Sequence, residues 1–141
     1  MKAFLAAVRF LTIVPVPARW AGGRAELARS VAFFPFVGLL IGIAAAALAV
    51  GLQHVLPALP AGVLLILALV AASGALHLDG LSDTADGFLS SRPRELALQI
   101  MRDSRVGAMG VAAIVLVLAL KLSAFVSVPT GAWWRTALLA P

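Results

Sequence analysis

The chain has no cysteine, and only six of its 141 residues are acidic. Without cysteine there are no disulfides, no thiolate metal ligands and no cysteine nucleophile. Charged residues make up 12% of the chain, against 62% hydrophobic residues, and mean hydropathy is +1.07. A soluble domain is about one-quarter charged and half apolar. Apolar runs of about 20 residues read as membrane spans. The expected class is therefore all-α, a polytopic membrane helical bundle forming one membrane domain over 1–141.

Basic residues exceed acidic ones, giving a formal charge of +5. They do not form one solvated stripe. Lys2, Arg9, Arg19, Arg24 and Arg29 form one group, and Arg92, Arg94, Arg102 and Arg105 another. Both flank apolar runs, so topology and anionic lipid explain them better than nucleic acid does. Stacking platforms for bases are also missing. No nucleic-acid partner is expected.

Residues 3–14 are apolar but too short to span a bilayer, and Pro15 and Pro17 follow. They read as an interfacial or re-entrant helix. Spans are expected over about 31–55, 61–78 and 107–128, with a further helix starting over 132–141. Gly38 and Gly42 form a G-x-x-x-G pair that admits close helix approach. A homo-oligomer is compatible with that pair, although the oligomeric state is not fixed by it. Trp133, Trp134 and Arg135 look like an interfacial belt. The chain stops soon after a turn at Pro129 and Gly131, which reads as the N-terminal part of a longer protein.

The segment 79–106 holds five of the six acids, leaving Glu26 elsewhere. Arginines lie both there and in the N-terminal connector, two spans apart. The positive-inside rule places both on the cytoplasmic side and the turn at Pro57 and Pro60 outside. In His77-Leu-Asp-Gly-Leu-Ser-Asp-Thr-Ala-Asp-Gly87, the positions Asp79, Asp83 and Asp86 fall at i, i+4 and i+7. A helix would put them on one face. Like charges there repel and are poorly solvated near a membrane, so a divalent cation is the natural compensation. Carboxylates suit Mg²⁺, which completes its shell with water and phosphate oxygens.

Gly80 and Gly87 leave room for a ligand near the backbone. His77 falls opposite Asp79 on an ideal helix and reaches a ligand only if Gly80 breaks that geometry. A second helix is expected over about 92–104, with Pro93 in its first turn. After it come Arg102-Asp103-Ser104-Arg105, then Gly107 and Gly110. Arginine forks match phosphate, while Asp103 either joins the metal site or orients Arg102 or Arg105. Lys121 reads as a snorkelling residue of the third span. Together these groups suggest transfer of a phosphate-bearing group.

Two other classes compete with an enzyme. Intramembrane carboxylates also mark transporters and ion-conducting subunits, but there the acids lie deep in several spans. A scaffold assembling through G-x-x-x-G would leave the three aspartates unexplained.

The runs HLDGLSDTADGF (77–88) and MRDSRVGAMG (101–110), with FLTIVPVP (10–17) and FPFVGLLIG (34–42), resemble the cobalamin synthase family. The resemblance covers almost the whole chain in the right order, up to the N-terminal half or somewhat more of longer members. It implies a Mg²⁺-dependent transferase of the prokaryotic cytoplasmic (inner) membrane, multi-pass, acting late in cobalamin biosynthesis. Its substrates would be adenosylcobinamide-GDP and α-ribazole or α-ribazole 5′-phosphate, and its products adenosylcobalamin or its phosphate, plus GMP. Asp79, Asp83 and Asp86 would then ligate Mg²⁺. One of them or Asp103 would take the hydroxyl proton. Arg102 and Arg105, with His77, Gly80 and Gly87 nearby, would hold the phosphates. The acidic run is also loosely similar to that of the CDP-alcohol phosphotransferases, without their full D-G-x-x-A-R pattern.

Overall fold

The structure, a computed structural model, describes residues 1–103 and 105–141. All its regular elements are helical. The α-helices are α1 (Lys2–Leu11), α2 (Ala18–Ala21), α3 (Arg24–Ser30), α4 (Phe34–Gln53), α5 (Ala58–Ala72), α6 (Leu76–Phe88), α7 (Arg94–Ile100), α8 (Ala108–Ser127) and α9 (Trp133–Leu138), with 3-10 turns at Val31–Phe33 and Thr130–Ala132. Among the described residues, two helical stretches are long and apolar enough to cross a membrane, Arg24–Gln53 and Ala108–Ser127. The bent pair of α5 and α6 gives a third if it counts as one span. Their outer faces are apolar: Leu116 and Leu120 of α8 are 69% and 70% exposed. Such faces suit lipid rather than water.

α1 is shorter than the apolar run that contains it. It ends at Leu11, where Thr12 turns extended with φ −136° and ψ 160°. The Thr12 hydroxyl donates to the Val8 carbonyl at 2.7 Å. The Ile13 amide then donates to the Ala72 carbonyl at 2.9 Å. The chain leaves α1 by docking on the last turn of α5, before either proline is reached. Ala7 and Leu11 of α1 bury against Val37 of α4.

The stretch 61–78, expected as one span, is divided. α5 stops at Ala72, and α6 leaves at 87° to it. At about 1.5 Å per residue, the 15 residues of α5 measure roughly 22 Å, short of a 30 Å hydrocarbon core. The cause is a left-handed pair, Gly74 at φ 59° and Ala75 at φ 61°. The Ala75 amide donates to the Val70 carbonyl at 2.9 Å and the Gly74 amide to Ala71 at 3.0 Å. This is a Schellman-type stop. Ala75 lacks glycine's freedom, so its left-handed backbone costs about 1–2 kcal/mol. Residues 76–78 consequently begin the acidic helix instead of ending a span.

The main core joins Ala45 and Ala49 of α4, Ala61, Leu65 and Ile66 of α5, Phe125 of α8, and Trp133 and Ala137 of α9. Trp133 is fully buried, and its indole N–H donates to the Val128 carbonyl at 3.0 Å. It is therefore a core residue, unlike the interfacial role its sequence context suggests. Trp134 remains 41% exposed, with the Arg135 guanidinium 5.2 Å from its ring centroid. Lys121 does not run free along the span, since its ammonium donates to the Ala140 carbonyl at 3.3 Å.

The two glycines of the G-x-x-x-G pair differ. A Cβ at Gly38 would meet nothing within 4 Å, whereas one at Gly42 would run into the Leu138 carbonyl oxygen of α9. Small residues let α4 and α9 close on one another here. Gly42→Ala should therefore destabilise the protein by about 1–3 kcal/mol, and Gly38→Ala should not. Thermal unfolding in detergent checks this; equal melting temperatures for the two variants would contradict it.

Candidate active site

Residues 76–88 are continuously helical, and Gly80 does not break them. Asp79, Asp83 and Asp86 therefore do share one face. Asp79 lies in the first turn, where a negative charge suits the helix dipole. It is exposed, while Asp83 and Asp86 are half-buried. Over Gly80 the space is open, since a Cβ there would meet nothing within 4 Å. Gly87 is different: a Cβ would come within 2.5 Å of Met101 Cγ and 3.1 Å of the Ala97 carbonyl. It is a packing glycine that seats α6 on α7. His77 is exposed across α6 from Asp79. It borders a cavity of about 300 Å³ shared with Ser73, Leu78 and Leu81, and with Val117, Leu118 and Lys121 of α8.

α6 lies along the first half of α8, running the opposite way. Leu78 and Leu81 adjoin Val117 and Leu118. At the other end, Asp86 meets the start of α8. Its Oδ2 accepts the Gly107 amide at 2.7 Å, and its Oδ1 accepts the Gly110 amide at 2.8 Å. Gly107 is the N-cap of α8, so these are two of the donors a helix leaves without an intrahelical partner. An ionised acceptor at a helix amino end is the favoured arrangement, each such bond contributing roughly 1.5–3 kcal/mol. Both glycines are needed. A Cβ at Gly107 would strike the Asp86 carboxylate, and one at Gly110 would strike both that carboxylate and Ser82 Oγ. Ser82 is only 2% exposed, and its hydroxyl has no hydrogen-bond partner among the described residues.

The expected helix over 92–104 is the seven-residue α7, with Pro93 as N-cap. Beyond it, Asp103 and Arg105 bind one another. Arg105 Nη2 donates to Asp103 Oδ2 at 2.7 Å, Arg105 Nε donates to both carboxylate oxygens at 3.1 Å, and the Arg105 amide donates to Oδ1 at 3.1 Å. The arginine side chain is 87% exposed. Of the two roles the sequence allows Asp103, orienting an arginine is the one seen. The side-chain hydrogen bond from Arg105, then that from its amide, lower the Asp103 pKa below the usual aspartate value. Arg102 is exposed, and Ser104 lies outside the described residues.

Among the described residues, no group of three or more His, Asp or Glu side chains converges tightly enough to hold a metal ion. The three aspartates are strung along a face and do not close into a cage. The donor set still suits a hard cation that keeps most of its water. Asp79 and Asp83 stand one turn apart beside the open space over Gly80, and neither carboxylate accepts a hydrogen bond among the described residues. Glycines Gly107 and Gly110, noted in sequence only as following the arginines, prove to be the receptor for Asp86.

Fold and site define an all-α protein with membrane-spanning helices and a carboxylate-lined helix laid along one span. The family profile of cobalamin-5-phosphate synthase matches residues 3–141. The chain belongs to that family. It is 42% identical to a Geotalea daltonii protein over 141 residues, which is 100% of this chain and 57% of the relative. It is 41% identical to one from Acetivibrio thermocellus over the same shares. With a Roseiflexus protein identity is 43% over 135 residues, 96% of this chain and 50% of the relative. All three are named adenosylcobinamide-GDP ribazoletransferase. The chain thus spans about half the length of the curated relatives it matches. No solved structure matches it.

The Asp103–Arg105 pair predicts a pH dependence. The folded pKa of Asp103 is depressed, so the pairing is intact above the ordinary aspartate range and is lost as pH falls through the folded value. Carboxyl NMR should show Asp103 titrating below a free aspartate. Arg105→Ala should raise it toward the ordinary value, the bond from the residue 105 amide remaining; an unchanged titration would contradict the pairing.

Proposed function

We propose that this chain carries the acidic part of a site that joins adenosylcobinamide-GDP to α-ribazole, or to α-ribazole 5′-phosphate. The products are adenosylcobalamin, or its 5′-phosphate, and GMP. The observation that carries the reading is Asp79 and Asp83 side by side on α6, in a chain of the cobalamin-5-phosphate synthase family. The names of its relatives support it.

In this reading the ribazole hydroxyl oxygen attacks the phosphorus attached to cobinamide. The new phosphate ester bond forms there, and the bond to the GMP oxygen breaks. Asp79 and Asp83 are the residues that would hold Mg²⁺. A bound Mg²⁺ would neutralise charge on the phosphate oxygens as it shifts toward the leaving group. A carboxylate of the acidic segment, on α6 or at Asp103, receives the hydroxyl proton. Arg102 and Arg105 bind phosphate oxygens through their planar forks, and Asp103 keeps the Arg105 fork oriented.

Placement in the membrane follows from charge. Arg92, Arg94, Arg102 and Arg105 hold the 79–106 segment on the cytoplasmic side of a prokaryotic inner membrane. The 56–60 turn, without Lys or Arg, lies outside. α1 lies at the interface with its arginine at the lipid headgroups. Carboxylates beside a span are costly unless compensated, which is what a cation on Asp79 and Asp83 provides.

GMP release by the full-length protein tests the reading. Asp83→Asn should lower turnover by about two orders of magnitude or more at saturating Mg²⁺. Near-normal turnover would remove Asp83 from the site. Arg105→Lys should raise KM for the guanosine diphosphate substrate, because an ammonium cannot reproduce the fork. An unchanged KM would remove Arg105 from phosphate binding.

A further inference from the structure

We infer that Asp86 is a positioning residue: its carboxylate fastens the acidic helix to the start of α8, leaving Asp79 and Asp83 as the carboxylates that face a cation. The division of labour rests on the proposed Mg²⁺ site; the fastening itself does not.

Three observations carry it. The first is engagement by backbone donors. Each oxygen of Asp86 accepts one amide of α8's first turn, at 2.7 Å from Gly107 and 2.8 Å from Gly110. Asp79 and Asp83 accept none among the described residues, so the three chemically identical side chains of one face differ in what they do. The second is shape. Gly107 and Gly110 are the two positions where a Cβ would strike the Asp86 carboxylate, so the start of α8 is hollowed out for it. The third is Ser82, one turn before Asp86 and buried at 2% exposure. Its unpartnered hydroxyl stands against Gly110 in the same junction. A buried hydroxyl beside a carboxylate is a reserve donor for it.

The consequence reaches beyond α6. Asp86 joins residues 21 and 24 positions apart in the chain. It therefore closes the excursion that contains α7, Arg102, Asp103 and Arg105, and brings that excursion back to the acidic face. A carboxylate withdrawn to ligate metal would release both the amino end of α8 and this loop. Asp86 thus sets where the arginines stand relative to Asp79 and Asp83 without touching a substrate itself.

The test uses the full-length protein in detergent or nanodiscs and two readouts, neither of which is activity. Hydrogen exchange reports the first turn of α8, and Mn²⁺ binding followed by electron paramagnetic resonance reports the cation site. Asp86→Asn should speed exchange of the Gly107–Gly110 amides by about tenfold, as expected for loss of a hydrogen bond to a charged acceptor. It should leave Mn²⁺ affinity within roughly threefold of the parent. Asp79→Asn and Asp83→Asn should do the reverse, leaving α8 exchange unchanged and weakening Mn²⁺ by at least about tenfold. Gly110→Ala keeps every aspartate and should reproduce the fast exchange, which covers the case where Asp86→Asn does not fold. Asp86→Asn weakening Mn²⁺ as much as Asp83→Asn, with α8 exchange unchanged, would overturn the proposal. So would unaltered exchange in Gly110→Ala. If the parent binds no Mn²⁺, the Mg²⁺ reading and the division of labour fail together, while the exchange data still decide whether Asp86 fastens α8.

Discussion

The bond between the Asp86 carboxylate and the first turn of α8 is the constraint on which the site depends. α5 and α6 meet at 87°, so continuity of the chain alone does not hold α6 against α8. Apolar contact through Leu78 and Leu81 secures one end of α6. The other end is polar and is secured by two charge-assisted hydrogen bonds. The first amides of a helix have no intrahelical acceptor. One carboxylate meets that need at Gly107 and Gly110 and also fixes the acidic face beside the span.

The rest of the fold can be read as support for this arrangement. The left-handed pair at Gly74 and Ala75 ends α5 and turns the chain so that α6 can lie along α8. The Ile13 amide on the Ala72 carbonyl ties the N-terminal helix to that same corner. Gly87 lets α7 sit close against α6, and beyond α7 Arg105 pairs with Asp103 at 2.7 Å. Fully buried Trp133 and Leu65, with Phe125, bind α5, α8 and α9 into one core at the opposite end of α8. Rigid elements thus surround the carboxylates.

Much of this was legible in the sequence because it rests on local periodicity and composition. Apolar runs mark α4 and α8, and the i, i+4, i+7 spacing puts Asp79, Asp83 and Asp86 on one face once the segment is helical. The division of 61–78 was not legible. An alanine in a left-handed conformation is disfavoured, and only Gly74 hints at it. Nor was the different environment of Asp86, because its partners are 21 and 24 residues away and are backbone amides, which leave no side-chain signature. Gly107 and Gly110 were the available signal, since two glycines at a helix start mark a close approach. The burial of Trp133 is hidden for a similar reason: an aromatic beside Trp134 and Arg135 has the pattern of an interfacial belt, and only tertiary packing buries it.

The central claim is that Asp79 and Asp83 hold the cation while Asp86 holds α8. A structure of the full-length protein with Mn²⁺ and a guanine nucleotide tests it most directly, because the metal can be located by its anomalous scattering. The account predicts metal about 2.1 Å from oxygens of Asp79 and Asp83, with Asp86 still on the Gly107 and Gly110 amides. Metal on Asp86 with those amides released, or metal bound away from α6 altogether, would contradict it.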